Sequence, residues 1–82
     1  MNILIADDNI DEVRTPLKRQ LARIYGADAI LEAGNGRMAV EMVNRHHPNV
    51  VILDIMMPVM DGIGACRAIR ADRDNLGIYI IM

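Results

Sequence analysis

Asp7, Asp8 and Asp54 are the residues whose type and spacing could do chemistry. Asp7 and Asp8 close the aliphatic run Ile3-Leu4-Ile5-Ala6, and Asp54 closes Val50-Val51-Ile52-Leu53. Runs of this kind read as strands buried on both faces. Isolated buried charge is costly, so packing does not explain carboxylates at the ends of such strands. If the two strands are parallel neighbours, all three acids emerge at one edge of the sheet and form an anionic pocket. Carboxylates brought that close repel one another, and a cation is what makes the group tolerable. Hard oxygens with room for water suit Mg²⁺, which takes one or two carboxylates together with a substrate's phosphate. No soft ligand stands with them, which argues against zinc.

The elements that must position these acids are legible as an alternation. Strand-like runs occupy residues 2–6, about 28–32, 50–54 and 78–82. Between them lie stretches with helical spacing. Val13, Leu17, Leu21 and Ile24 share one face of a first helix, which Gly26 ends. Met38, Ala39, Met42 and Val43 form the stripe of a second, closed by His46-His47-Pro48. Ile63, Cys66 and Ile69 share a face in a third, before the polar turn Asp72-Arg73-Asp74-Asn75. Strand alternating with helix implies βαβ units, right-handed crossovers and a parallel sheet. Pro16 conflicts with a helix running straight through it, because it lacks a donor and collides with the carbonyl four residues back. The first helix is therefore expected to start late, with Thr15 as cap, or to kink near residues 11–16.

Composition narrows the class. A chain of 82 residues allows one domain, and 52% hydrophobic with 24% charged content suits a globular fold rather than disorder. With Tyr25 and Tyr79 the only aromatics, the core must be aliphatic, with methionine filling gaps. A net charge of −2 gives no support for nucleic-acid binding. The lone Cys66 cannot form an internal disulfide and reads as a small core residue, compatible with a reducing cytoplasm. No apolar stretch is long enough to span a membrane, and Met1-Asn2-Ile3-Leu4 lacks the features of a signal peptide.

At three places the chain resembles a known family. Ala6-Asp7-Asp8-Asn9, Asn35-Gly36, and Leu53-Asp54-Ile55-Met56-Met57-Pro58-Val59-Met60-Asp61-Gly62 look like the receiver domain of two-component response regulators. The resemblance covers essentially the whole chain. It implies an α/β, flavodoxin-like, three-layer fold with a parallel sheet ordered 2-1-3-4, a (βα)3β arrangement over residues 1–82. It further implies that Asp54 is the phosphoacceptor, attacking a phosphohistidine on a histidine kinase or phosphotransfer protein. Asp8 matches the direct Mg²⁺ ligand, Asp7 its support through water, and the Met56 backbone carbonyl the third protein oxygen. Pro58 and Asp61-Gly62 match the turn into the third helix. Such a domain is a phosphoacceptor in phosphorelay signalling, with at most self-phosphorylation and self-dephosphorylation, and not a metabolic enzyme.

The resemblance stops after the fourth strand. The family's fourth helix, fifth strand and fifth helix would lie beyond Met82, as would its switch hydroxyl and lysine; no lysine follows Lys18. Residues 78–82 are then expected to be a bare apolar edge that favours a homodimer or element exchange.

Other readings compete. Alone, Asp7 and Asp8 read as loop acids, with Asp8 or Asp11 capping the first helix. Arg14, Lys18 and Arg19 read as a solvated helix face, and His46 and His47 as residues favourable to a helix end. An aspartate-nucleophile phosphohydrolase would need a second acid where Met56 stands. A nucleotide- or flavin-binding fold would need a glycine cradle where Asp7-Asp8-Asn9 stands. A non-switching interaction module is the alternative outside phosphotransfer.

Overall fold

In the computed structural model, which describes residues 1–82, Ile3–Ala6 forms β1, buried along its whole length. A π turn over Ile10–Arg14 leads into α1, Thr15–Tyr25. After a 3₁₀ turn at Ala27–Ala29 come β2, Ile30–Ala33, and α2, Gly36–His46. Then follow β3, Val50–Leu53, α3, Gly62–Ala71, a 3₁₀ turn at Arg73–Asn75, and β4, Tyr79–Ile81. The four strands are parallel in the order β2-β1-β3-β4. This is the flavodoxin-like order expected above.

Alternation along β1 divides the interior into two layers, because successive side chains point to opposite faces. Leu4 and Ala6 join Ala33, Val51, Leu53, Ala39, Val43, Ala65 and Ile69 beneath α2 and α3. Ile3 and Ile5 join Ile30 on the other face, where Leu17, Leu21 and Ala22 of α1 cover them. The α2–α3 side is the denser core; α1 has no fully buried residue. β1 lies between β2 and β3, with Ala6 in register with both Ala33 and Leu53. That register brings the ends of β1 and β3 level.

Several expected helix faces are corrected. Val13 falls in the π turn, out of phase with α1, and is 37% exposed; Ile24 lies in the last turn, past the sheet, and is 71% exposed. In α2 the buried face is Gly36, Ala39 and Val43, so Met38, one position off it, is half-exposed. In α3 a strict spacing of three drifts around the helix. The buried face there is Gly62, Ala65 and Ile69, at spacings of three and four, and Ile63 faces outward. Cys66 is half-buried against the core. The second strand begins two residues later than expected, because Ala27–Ala29 closes the 3₁₀ turn.

Local chemistry sets the boundaries. Asn35 Oδ1 accepts the Met38 N–H at 2.8 Å and starts α2, and Asp61 Oδ1 accepts the Gly64 N–H at 2.7 Å and starts α3. His47 ends α2 in the left-handed region (φ 48°), donating its N–H to Val43 O. Asn75, fully buried, donates through Nδ2 to Ile69 O and Asn44 Oδ1 and so ties the turn before β4 to α2 and α3. At the sheet edge Tyr79, Ile81 and Met82 are exposed. No helix is long and apolar enough to cross a membrane.

Candidate functional site

Both acid-bearing loops start at the carboxyl edge of the sheet. The Asp7 N–H donates to Ala33 O, and the Asp54 N–H to Ala6 O at 2.9 Å. Each aspartate is therefore tied to the neighbouring strand as its own strand ends. Carboxylate oxygens of Asp7, Asp8 and Asp54 converge within 4.8 Å of one another. Asp8 is exposed, and the other two are half-buried.

No cation of the protein answers this cluster. The ion pairs are Arg14–Glu32, Lys18–Glu32 and Arg37–Glu41, and none includes the three aspartates. Like charges at such spacing repel, and an external cation would relieve that repulsion. The donor set fits a hard one: oxygens only, those of Asp8 on an exposed residue. Met56 offers a further free oxygen. The Ile55 carbonyl accepts from Gly62 and the Pro58 carbonyl from Met60, whereas the Met56 carbonyl accepts no hydrogen bond. The only concave groove lies elsewhere, beside β4, between Arg70 and Ile80. The acid cluster lies on the open carboxyl edge of the sheet, outside that groove.

Two glycines bring the loops this close. A Cβ on Gly62 would run into the carbonyl oxygen of Asp54 and lie 2.9 Å from Ile55 Cα. A Cβ on Gly36 would strike the carbonyls of Met60 and Asp61, and its N–H donates to Met60 O at 2.8 Å. Thus Asn35-Gly36 and Asp61-Gly62 do more than turn the chain: they clamp the β3–α3 loop between two helix N-termini. Gly at the first position of a helix, where alanine would be the better helix former, was the available signal. Within that loop Val59 adopts φ 69°, rare for a β-branched residue, while the Met60 N–H bonds back to Pro58 O. Met56 is 79% exposed, and Met57 and Met60 pack partly into the core.

On the β1 side Asn9, and neither Asp8 nor Asp11, caps the following turn: its Oδ1 accepts the Glu12 N–H at 3.0 Å. The Asp7 Oδ1 accepts the Asn9 N–H at 2.8 Å. Asp8 is left free of such work. Arg14 and Lys18 are not simply solvated. Lys18 Nζ lies 3.1 Å from Glu32 Oε2, and the Arg14 side chain is only 13% exposed, with Nε 4.0 Å from Glu32 Oε1.

A sheet ordered 2-1-3-4 with three acids at its carboxyl edge defines a class, and the comparisons agree on it. The response regulator receiver domain matches residues 3–82, so the chain belongs to the response regulator receiver family, a family of two-component signalling domains. A probable transcriptional regulator, ycf27, of Galdieria sulphuraria is 45% identical over 80 residues, 98% of this chain and 29% of that protein. The response regulator MprA of Mycobacterium leprae is 38% identical over 81 residues, 99% of this chain and 34% of that protein. Among solved structures, the signal receiver domain of a DNA-binding response regulator (merR) from Colwellia psychrerythraea 34H aligns with a TM-score of 0.85. It is 30% identical, with 98% of this chain and 64% of that one covered. The chain spans about a third of the length of these curated relatives.

Proposed function

We propose that Asp54 accepts a phosphoryl group from a phosphohistidine of a histidine kinase or phosphotransfer protein. The single observation that carries this reading is the convergence of Asp7, Asp8 and Asp54 within 4.8 Å with no protein cation among them. An oxygen of the Asp54 carboxylate attacks phosphorus as the P–N bond to the imidazole breaks. The electron pair leaves with the ring nitrogen, and an acyl phosphate results. Asp8 would hold Mg²⁺ directly, with Asp54 and the Met56 carbonyl, and Asp7 would support it through water. Bound there, the ion would neutralise phosphoryl oxygens, the main demand of phosphoryl transfer. The openness of the edge supports a protein donor. Residues 1–82 would be the site-bearing part of the receiver, working in the cytoplasm as a phosphoacceptor.

The test is incubation with Mg²⁺ and a small-molecule phosphodonor, read by intact mass. Wild type should gain one phosphoryl group, and Asp54→Asn should gain none. No incorporation under conditions that label a longer receiver would refute the proposal. Sustained release of phosphate from an ester would point instead to a hydrolase.

A further inference from the structure

Directly after the acid pair the chain makes a π turn, and this turn needs a cause. Its hydrogen bonds reach five residues back: the Arg14 N–H donates to Asn9 O at 3.0 Å, and the Thr15 N–H to Ile10 O. Pro16 supplies the reason. In a continuous α-helix its ring would collide with the carbonyl four residues earlier, that of Glu12, and it has no N–H to offer that carbonyl. One extra residue in the preceding turn moves the carbonyl aside while the chain stays helical. Arg14 (φ −61°, ψ −52°) and Thr15 (φ −62°, ψ −48°) keep right-handed helical dihedrals.

The wide turn is fastened to the acid cluster at one end and to the sheet at the other. Asn9 makes the first connection with three bonds. Its N–H donates to Asp7 Oδ1, its Oδ1 accepts from Glu12, and its carbonyl accepts from Arg14. Arg14 makes the second, its buried Nε 4.0 Å from Glu32 Oε1 of β2 in an ion pair without a hydrogen bond. Beyond it α1 is held to the sheet by Leu17 and Leu21. If the turn tightened to α-helical bonding, Arg14 would donate to Ile10 rather than Asn9, and Thr15 to Asp11. Because α1 is anchored, the adjustment would fall on the short link that carries Asp7, Asp8 and Asn9.

We propose that Pro16 is a positioning residue for the acid site. By forbidding an α-helical turn, it sets the register at which Asn9 holds the Asp7 carboxylate and at which Asp8 faces Asp54. The inference rests on reading that cluster as a Mg²⁺ site.

Two substitutions separate positioning from mere stability. Pro16→Ala and Pro16→Gly both restore the N–H, but alanine favours a helix and glycine disfavours it. Mg²⁺ alone is titrated into wild type and both variants, following the backbone amide resonances of Asp8 and Asp54. Urea midpoints are measured without metal. Both variants should bind Mg²⁺ about tenfold more weakly, the loss typical when a group that orients a metal ligand is removed. Their midpoints should part, alanine above glycine. Wild-type affinity in both variants would overturn the proposal. So would affinity that follows the midpoints, with only the glycine variant weakened. Failure of Mg²⁺ to move the Asp8 and Asp54 resonances in wild type would sink the Mg²⁺ reading itself, and the role of Pro16 with it.

Discussion

Gly62→Ala sets helix propensity directly against sterics. Propensity alone favours the change, since alanine is better than glycine in a helix by about 1 kcal/mol, and Gly62 opens α3. The neighbours oppose it. The new Cβ would lie 2.9 Å from Ile55 Cα and nearer still to the Asp54 carbonyl oxygen, whereas carbon atoms in comfortable contact sit about 3.5–4.0 Å apart. The loop or the helix must retreat by roughly an ångström, and overpacking of this kind costs about 1–3 kcal/mol. Retreat also stretches the 2.9 Å bond from the Gly62 N–H to Ile55 O, adding about 1 kcal/mol. Set against the propensity gain, the net is a loss of about 2 kcal/mol, or roughly 10 °C in Tm for a domain this small. Urea unfolding followed by circular dichroism measures it, and a Mg²⁺ titration should show weaker binding because the displaced carbonyl belongs to Asp54. Gly77→Ala is the control: nothing lies within 4 Å of its Cβ position and its φ is not positive. That variant should be neutral or slightly stabilised. An alanine at 62 as stable as wild type, with unchanged Mg²⁺ affinity, would refute the close-approach argument.

Asn9→Ala should cost about 1 kcal/mol, because the Glu12 N–H loses its side-chain acceptor; an unchanged urea midpoint would remove Asn9 as the cap. Val59→Gly should raise stability by about 0.5–1 kcal/mol, the strain of a β-branched residue at φ 69° outweighing the entropy glycine loses on folding. A lower urea midpoint would show that the loop gains more from the valine side chain than it loses in its backbone. Asp8→Asn should stabilise the metal-free protein, since charges within 4.8 Å of one another repel by at least about 0.9 kcal/mol per pair in a water-like dielectric. The gain should shrink in high salt, and added Mg²⁺, expected to raise the Tm of wild type, should no longer raise that of the variant; a salt-independent change would mean that repulsion is not its cause.

What could be read from residue types follows from how each feature is encoded. The strands were legible because Ile3–Ala6 and Val50–Leu53 are continuous aliphatic runs, the first buried on both faces and the second buried on one and half-buried on the other. Their alternation with helical stretches made the sheet parallel, and the family resemblance supplied its order. Once β1 and β3 are neighbours, the convergence of Asp7, Asp8 and Asp54 follows from pairing alone, as Ala6 opposite Leu53 shows. The helix faces were less legible because α2 and α3 bury small residues. Gly36, Ala39, Gly62 and Ala65 carry little hydropathy, so the larger Met38 and Ile63 beside them drew the stripe off its true line. The clamp on the β3–α3 loop was hidden for a related reason: a close approach is encoded by a missing side chain. Backbone groups are harder still, since any residue type can present the free carbonyl that Met56 presents. Pro16 lies between these extremes. Its conflict with a continuous helix was plain, but a late start, a kink and a widened turn all relieve the same clash. Which one forms depends on partners distant in sequence: Glu32 of β2 lies against Arg14 and Lys18 on the face that α1 covers. The bonds from Asn9 to Asp7, Glu12 and Arg14 then join that choice to the acid site. A local steric conflict thereby becomes a constraint on the site's geometry, and only the tertiary contacts reveal it.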